Sequence, residues 1–189
     1  MSINKNSAKD YFNEKASEWD NIAKHDEKKV SFIVDALGIK SGDKVLDVGC
    51  GTGVLIPFLY DKCKSALAID EAEKMIEVAR GKYNFPNVKF QAINFENVSG
   101  QFDKIIMYSM FPHFTNQSAA IKHAAGLLKR GGRLMIAHSQ SRDEINALHE
   151  DMDAVLPDAK GFAKLFKAAG LKTIQNIDNN EMFVMIAEK

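Results

Sequence analysis

Asp47, a triplet of glycines and Asp70 are the residues of this chain best suited by type and spacing to grip a ligand. The run Lys44-Val45-Leu46-Asp47-Val48 is short, β-branched and mostly apolar, and Gly49-Cys50-Gly51-Thr52-Gly53 follows at once. Such a run reads as a buried strand emptying into a tight turn where a ligand's polar end can approach bare backbone. The carboxylate restricts which ligand. A pyrophosphate over the turn would be repelled by Asp47 at its mouth, and Val54 stands where the dinucleotide fingerprint requires its third glycine. A ligand with a cationic end suits the acid instead. Asp70 lies 17 positions after Gly53, at the end of the next apolar run. Its carboxylate can accept two charge-assisted hydrogen bonds from the vicinal hydroxyls of a ribose; it can equally cap a helix that begins Glu71-Ala72-Glu73.

A second set of reactive side chains lies farther along: His113, His138 and His149. Histidine changes charge near neutral pH, so it suits the removal of a proton from a bound molecule. Three readings stay open. The histidines orient or deprotonate a substrate, with Arg142 holding an anion on it. Alternatively they gather round a divalent metal or a metal-bearing substrate. The third is a solvated or hydrogen-bonded role beside a capped helix start, since Ser141 with Glu144 three residues on fits a capping box.

Tyr11, Phe12, Lys15, Ala16, Trp19, Ile22 and Ala23 recur at helical spacing and predict an amphipathic N-terminal helix. A second helix is predicted over 30–39, closed by Gly38 and the Ser41-Gly42 turn. Strands are then predicted at 44–48, 66–69, 88–92, 104–107 and 133–137, and helices at 54–59, 71–82, 119–128, 143–152 and 161–169. Two runs at 172–177 and 181–187 flank Asp178-Asn179-Asn180 and predict a closing hairpin. Alternating strands and helices imply an α/β sandwich with a mainly parallel sheet covered on both faces. With no repeat or low-complexity linker, one domain is expected over 1–189, with 1–40 a helical cap on a core of 41–189. Ligands of such sheets bind outside the carboxyl ends of the strands, near the reversal of strand order. The 47–53 loop, Asp70, Asn94, the 107–113 segment and His138 all fall on that edge.

Residues 45–53 resemble motif I of the class I S-adenosylmethionine-dependent methyltransferases, and S-adenosylmethionine carries the ammonium and sulfonium that suit Asp47. The similarity covers most of the chain from Tyr11 onward. It implies a Rossmann-like doubly wound sheet of seven strands, mainly parallel with an antiparallel last strand, and a lid helix over the cofactor. It also implies S-adenosylmethionine as cofactor, held at the loop by Asp47, Gly49, Cys50, Gly51 and Gly53 and at its ribose by Asp70. Glu71 and Ala72 become neighbours of the adenosine, and Tyr108 joins the cofactor-binding set. Asn94 takes the place of an acid that meets the adenine amino group, where its amide oxygen can accept the same hydrogen bond. Phe95 lies against the ring or in the core. Lys129 to Arg133 is similar to the family's turn before strand five, with structural glycines.

The 107–114 segment lacks the Asn/Asp-Pro-Pro-aromatic motif of adenine-N6 and related nucleic-acid methyltransferases. It resembles instead that of small-molecule methyltransferases, including those of quinone biosynthesis and the methyltransferase type 11 group. A small-molecule methyl acceptor follows, with His113, His138, His149 and Tyr11 as the expected catalytic residues and no metal. A non-catalytic module that binds S-adenosylmethionine to sense or scaffold would carry the same loop. Nicotinamide-dependent oxidoreduction is disfavoured by Asp47 and Val54.

Lys plus Arg and Asp plus Glu number 25 each, and no Lys/Arg run exceeds two residues, so no nucleic-acid partner is expected. Neither an apolar run of membrane-spanning length nor an apolar leader within Met1 to Asp10 is visible. The two cysteines, Cys50 and Cys63, form no C-x-x-C pair, which points to a reduced, cytoplasmic setting. Cys50 between two glycines reads as a small residue fitting the turn rather than a nucleophile.

Overall fold

The structure, a computed structural model, describes residues 5–149 and 155–189. Seven apolar, β-branched runs form its strands: β1 Lys44–Val48, β2 Ser65–Asp70, β3 Val88–Ala92, β4 Phe102–Tyr108, β5 Leu128–His138, β6 Lys172–Asp178 and β7 Phe183–Glu188. They make one sheet in the order β3-β2-β1-β4-β5-β7-β6. The first five strands pair in parallel, and β7 runs antiparallel to both β5 and β6. The expected mainly parallel, seven-stranded sheet is therefore found. After β1 the chain builds outward through β2 and β3, then returns to lay β4 on the other side of β1. This places the reversal of strand order at the carboxyl ends of β1 and β4.

Helices cover both faces: α1 Lys5–Lys15, α2 Trp19–Ile22, α3 Glu27–Ala36, α4 Ile56–Leu59, α5 Glu73–Lys82, α6 Gln117–Leu127, α7 Arg142–Leu148 and α8 Ala159–Ala168. Side chains alternate along a strand, so each strand feeds two cores. Leu46, Val48, Ile105, Met107, Leu134 and Ile136 pack on one face with Ile121 and Ala124 of α6 and with Phe162 and Phe166 of α8. Val45, Ile106, Tyr108, Met135 and Ala137 pack on the other with Val30, Ile33 and Val34 of α3. Burial on both faces explains why the central strands read as near-continuous apolar runs. No helix among the described residues is long and apolar enough to cross a membrane.

Several boundaries differ from expectation, each for a local reason. The N-terminal helix is broken at Ala16–Glu18 by a 3-10 turn, after which Trp19 starts a separate short helix. The helix expected at 54–59 shrinks to Ile56–Leu59, because residues 51–55 are still completing the glycine turn. The next helix begins at Glu73, since Asp70 accepts from the Ala72 N–H and holds Ala72 extended as the N-cap. The turn expected at 129–133 lies inside β5, whose pairing with β4 shifts register there while Gly131 adopts φ 72°. The Ser141–Glu144 capping box forms as expected. The end of the helix expected at 143–152 falls partly on 150–154, outside the described residues.

Candidate active site

β1 delivers Asp47 to the heart of the sheet edge, 1 % exposed, and its Oδ2 is buried with no hydrogen-bond partner. Burial first, and the Asp70 charge second, push its carboxyl up to about 7. An acid so placed is half-neutralised near physiological pH and lacks a cation. Beyond it Gly49, Gly51 and Gly53 all take positive φ, at 67°, 53° and 88°. A Cβ at Gly49 would lie 2.7 Å from the Met110 side chain, and one at Gly53 would lie 3.0 Å from Tyr83, so the turn tolerates no side chain at either place. Cys50 is buried, and burial followed by the charges of Asp47 and Asp70 holds its thiol well above its ordinary range, so it stays protonated.

Asp70, at the end of β2, ties the loop down. Its Oδ2 accepts from the Gly51 N–H at 2.9 Å and its Oδ1 from the Ala72 N–H at 2.9 Å. Each carboxylate oxygen keeps a second acceptor site, so the capping role and a ribose-binding role coexist. Burial raises its carboxyl, partly countered by those backbone donors. Past β3, the Asn94 amide donates to Glu71 while its oxygen accepts from the Glu96 N–H at 2.8 Å. The oxygen expected to face an adenine thus caps the short turn Phe95–Asn97. Phe95 is 3 % exposed and packs against Phe114 and edge-on to His123 at 4.8 Å, on the core side rather than in the cradle.

The N-terminal segment crosses the glycine loop. Trp19 Nε1 would lie 3.8 Å from a Cβ on Gly51, and Asp20 bonds both the Thr52 hydroxyl and, at 2.6 Å, Lys82 of α5. Phe12 sits edge-on to Trp19 at 5.2 Å and to His113 at 5.4 Å. Tyr11 is 44 % exposed and touches Phe12, so it is not brought directly to the histidines.

His113 and His149 stand 5.2 Å apart, ring to ring. His138, at the end of β5, is 1 % exposed with both ring nitrogens unpartnered, and the buried His113 Nδ1 has no partner either. Burial lowers His113 to about 4 and His138 to about 3, and besides burial only the neighbouring imidazoles act on them. Both are uncharged at neutral pH, which corrects the expectation that these rings titrate near 7: the chain buries them where a cation would be desolvated. His149 Nδ1 lies 2.7 Å from the Ile145 carbonyl. Arg142 pairs with Asp178 at 3.3 Å and Asp143 at 3.1 Å, so its guanidinium is already matched by acids. No group of three or more His, Cys, Asp or Glu among the described residues is arranged to hold a metal ion.

On the α3 side of β4, the Tyr108 hydroxyl lies 2.8 Å from Ser139 Oγ and 3.0 Å from His25 Nδ1. Ser109, the next residue, has φ 53°, alone among the described non-glycine residues in taking a positive value. Strain of this kind, about 1–3 kcal/mol, collects at functional sites. Sequence reasoning missed His25, Ser139, Ser109, Met110, Thr52 and Asp20. The unbroken polar run that follows His138, from Ser139 to Glu144, is a usable signal for Ser139. Nothing in the pattern announced that Asp20 would meet Thr52, 32 positions away.

A family model described as a methyltransferase domain matches residues 39–182. The chain is 33% identical over 130 residues to a malonyl-[acyl-carrier protein] O-methyltransferase of Acetivibrio thermocellus, covering 66% of the chain and 46% of that protein. It is 30% identical over 110 residues to a ubiquinone biosynthesis O-methyltransferase of Bordetella avium, covering 55% and 46%. The chain thus spans about half the length of the curated relatives it matches. In fold it is similar to the magnesium protoporphyrin IX methyltransferase of Synechocystis PCC 6803 with bound SAH, with TM-score 0.78, 20% identity and coverage of 98% and 99%.

Proposed function

Because the chain belongs to the methyltransferase-domain family, we propose that it transfers a methyl group from S-adenosylmethionine to a small-molecule acceptor. The observation that carries this reading is the unpartnered, buried Asp47 Oδ2 beside a turn whose three glycines leave backbone bare. A cation is what that atom lacks, and the cofactor's amino-acid end supplies an ammonium. Asp47 then binds the ammonium, and Gly49, Cys50, Gly51 and Gly53 cradle the same end. Asp70 takes the ribose hydroxyls on its two free acceptor sites. Glu71, Ala72 and Asn94 border the adenosine, with Phe95 backing them from the core. Tyr108, fixed by Ser139 and His25, closes the cradle on the α3 side.

The bound cofactor supplies an electrophilic methyl on a sulfonium, so no further leaving-group activation is needed. What remains for the chain is alignment of the acceptor, exclusion of water and reception of a proton. The 1–40 segment, with Phe12, Trp19 and Tyr11, acts as the cover over a single 1–189 unit, and His113, His138 and His149 face the acceptor. Calorimetric titration with S-adenosylhomocysteine and, separately, with NAD tests the cofactor assignment: binding of the first alone supports it, and binding of NAD alone overturns it. Labelled S-adenosylmethionine turned over against a metabolite pool tests the enzyme assignment. Methylated product is expected; cofactor binding without product across a broad pool points to a non-catalytic module.

A further inference from the structure

Deepening that function, we infer that the His113–His138–His149 cluster is the acceptor site and takes an uncharged, hydroxyl-bearing aromatic of the phenol class in preference to a carboxylate. His138 is buried with both nitrogens unpartnered, so its neutral ring offers one N–H and one lone pair to something absent from the protein's own hydrogen bonds. His113 leaves Nδ1 unpartnered in the same way. The Ile145 carbonyl can only accept, so His149 Nδ1, 2.7 Å away, carries a hydrogen and is spent within the helix.

The buried His138 ring, with one N–H and one lone pair unmatched, needs a ligand that both accepts and donates. A hydroxyl donates and accepts; a carboxylate only accepts, and would press its charge against that lone pair. Burial keeps His113 and His138 uncharged, and Arg142 is paired with Asp178 and Asp143, so none of these three offers a carboxylate a free cation. The walls are flat rings, with Phe12 edge-on to His113 and His113 edge-on to His149 at 70°. Such walls favour an aromatic ligand through offset and edge contacts. In the transfer the acceptor oxygen bonds to the methyl carbon as the carbon–sulfur bond breaks, and the electron pair of that bond stays on sulfur as a neutral thioether. The hydroxyl proton passes to an imidazole of the cluster and from there to water.

The test uses the full chain saturated with S-adenosylhomocysteine, whose binding is first established by calorimetry, titrated with catechol and with benzoate and followed by ligand-observed NMR. Catechol is expected to bind at least about tenfold tighter than benzoate, as one or two unmatched buried polar atoms imply. His149→Phe and His138→Leu should each bring that ratio close to unity while leaving S-adenosylhomocysteine affinity unchanged. Equal or tighter binding of benzoate, no binding of catechol, or a ratio unmoved in both variants overturns the acceptor assignment alone. Failure of S-adenosylhomocysteine to bind overturns the parent function together with it.

Discussion

Replacing Asp47 by asparagine should strengthen the ligand-free fold at neutral pH while destroying cofactor binding. The carboxyl is held at about 7 in the folded chain against 3.8 for an ordinary aspartate. A group whose folded pKa is raised binds more protons folded than unfolded. Its contribution is therefore most favourable below about pH 4 and declines as pH rises toward 7, above which the loss is constant. Raising the carboxyl from 3.8 to about 7, at about 1.4 kcal/mol for each tenfold in proton affinity, makes the full loss about 4 kcal/mol. Asp47→Asn removes the titration but leaves a buried amide to satisfy, costing about 1–3 kcal/mol at every pH. The pH-dependent part isolates the carboxyl. Denaturant midpoints converted to free energies should show the variant gaining on the parent by about 3 kcal/mol between pH 4 and pH 7, then running level. A difference between the two proteins that stays flat from pH 4 to pH 8 would refute the desolvation argument.

The same substitution should weaken S-adenosylhomocysteine binding at least about 100-fold, since breaking a buried charge pair costs about 3–5 kcal/mol. A proton should also be released when the parent chain binds at pH 6, because the incoming ammonium restores the ionised carboxylate. Calorimetry in buffers of different ionisation enthalpy measures that proton directly. Asp47→Asn should release none.

Asp70→Ala should weaken S-adenosylhomocysteine binding at least about tenfold and lower stability by about 1–3 kcal/mol, because Gly51 and Ala72 lose their acceptor; unchanged affinity by calorimetry would remove Asp70 from the ribose site. Trp19 is the chain's single tryptophan and lies over Gly51, so its emission should shift on S-adenosylhomocysteine addition. Asp20→Ala, which cuts the ties to Thr52 and Lys82, should accelerate that change in stopped flow. Gly53→Ala, forced into φ 88° against Tyr83 at 3.0 Å, should cost about 1–2 kcal/mol or more in chemical denaturation.

The parts legible in the sequence are those whose cause is local. β1 is legible because Val45, Leu46 and Val48 are buried on both faces of a sheet, which requires an uninterrupted apolar run. The cradle is legible because only glycine accepts the positive φ its turn needs at three places, and the Ser141 capping box because its partner is three residues away. What stayed hidden depends on distant packing. His25 meets Tyr108 across 83 positions, and Met110, a residue that resembles any core methionine, happens to lie against Gly49.

The histidines show the division within single residues. Their type announced proton chemistry, but whether an imidazole is charged depends on how completely it is enclosed, and enclosure belongs to the fold. Among the described residues, buried side-chain atoms without partners occur at Asp47, His113, His123 and His138. Folded chains rarely leave such atoms unmatched. Three of the four residues lie at or just beyond the carboxyl ends of β1, β4 and β5, where a parallel sheet receives its ligands. Asp47 lacks a cation, and His138 lacks both a donor and an acceptor. Two different deficits on one edge call for two different ligands, one that brings a cation and one that both donates and accepts a hydrogen bond.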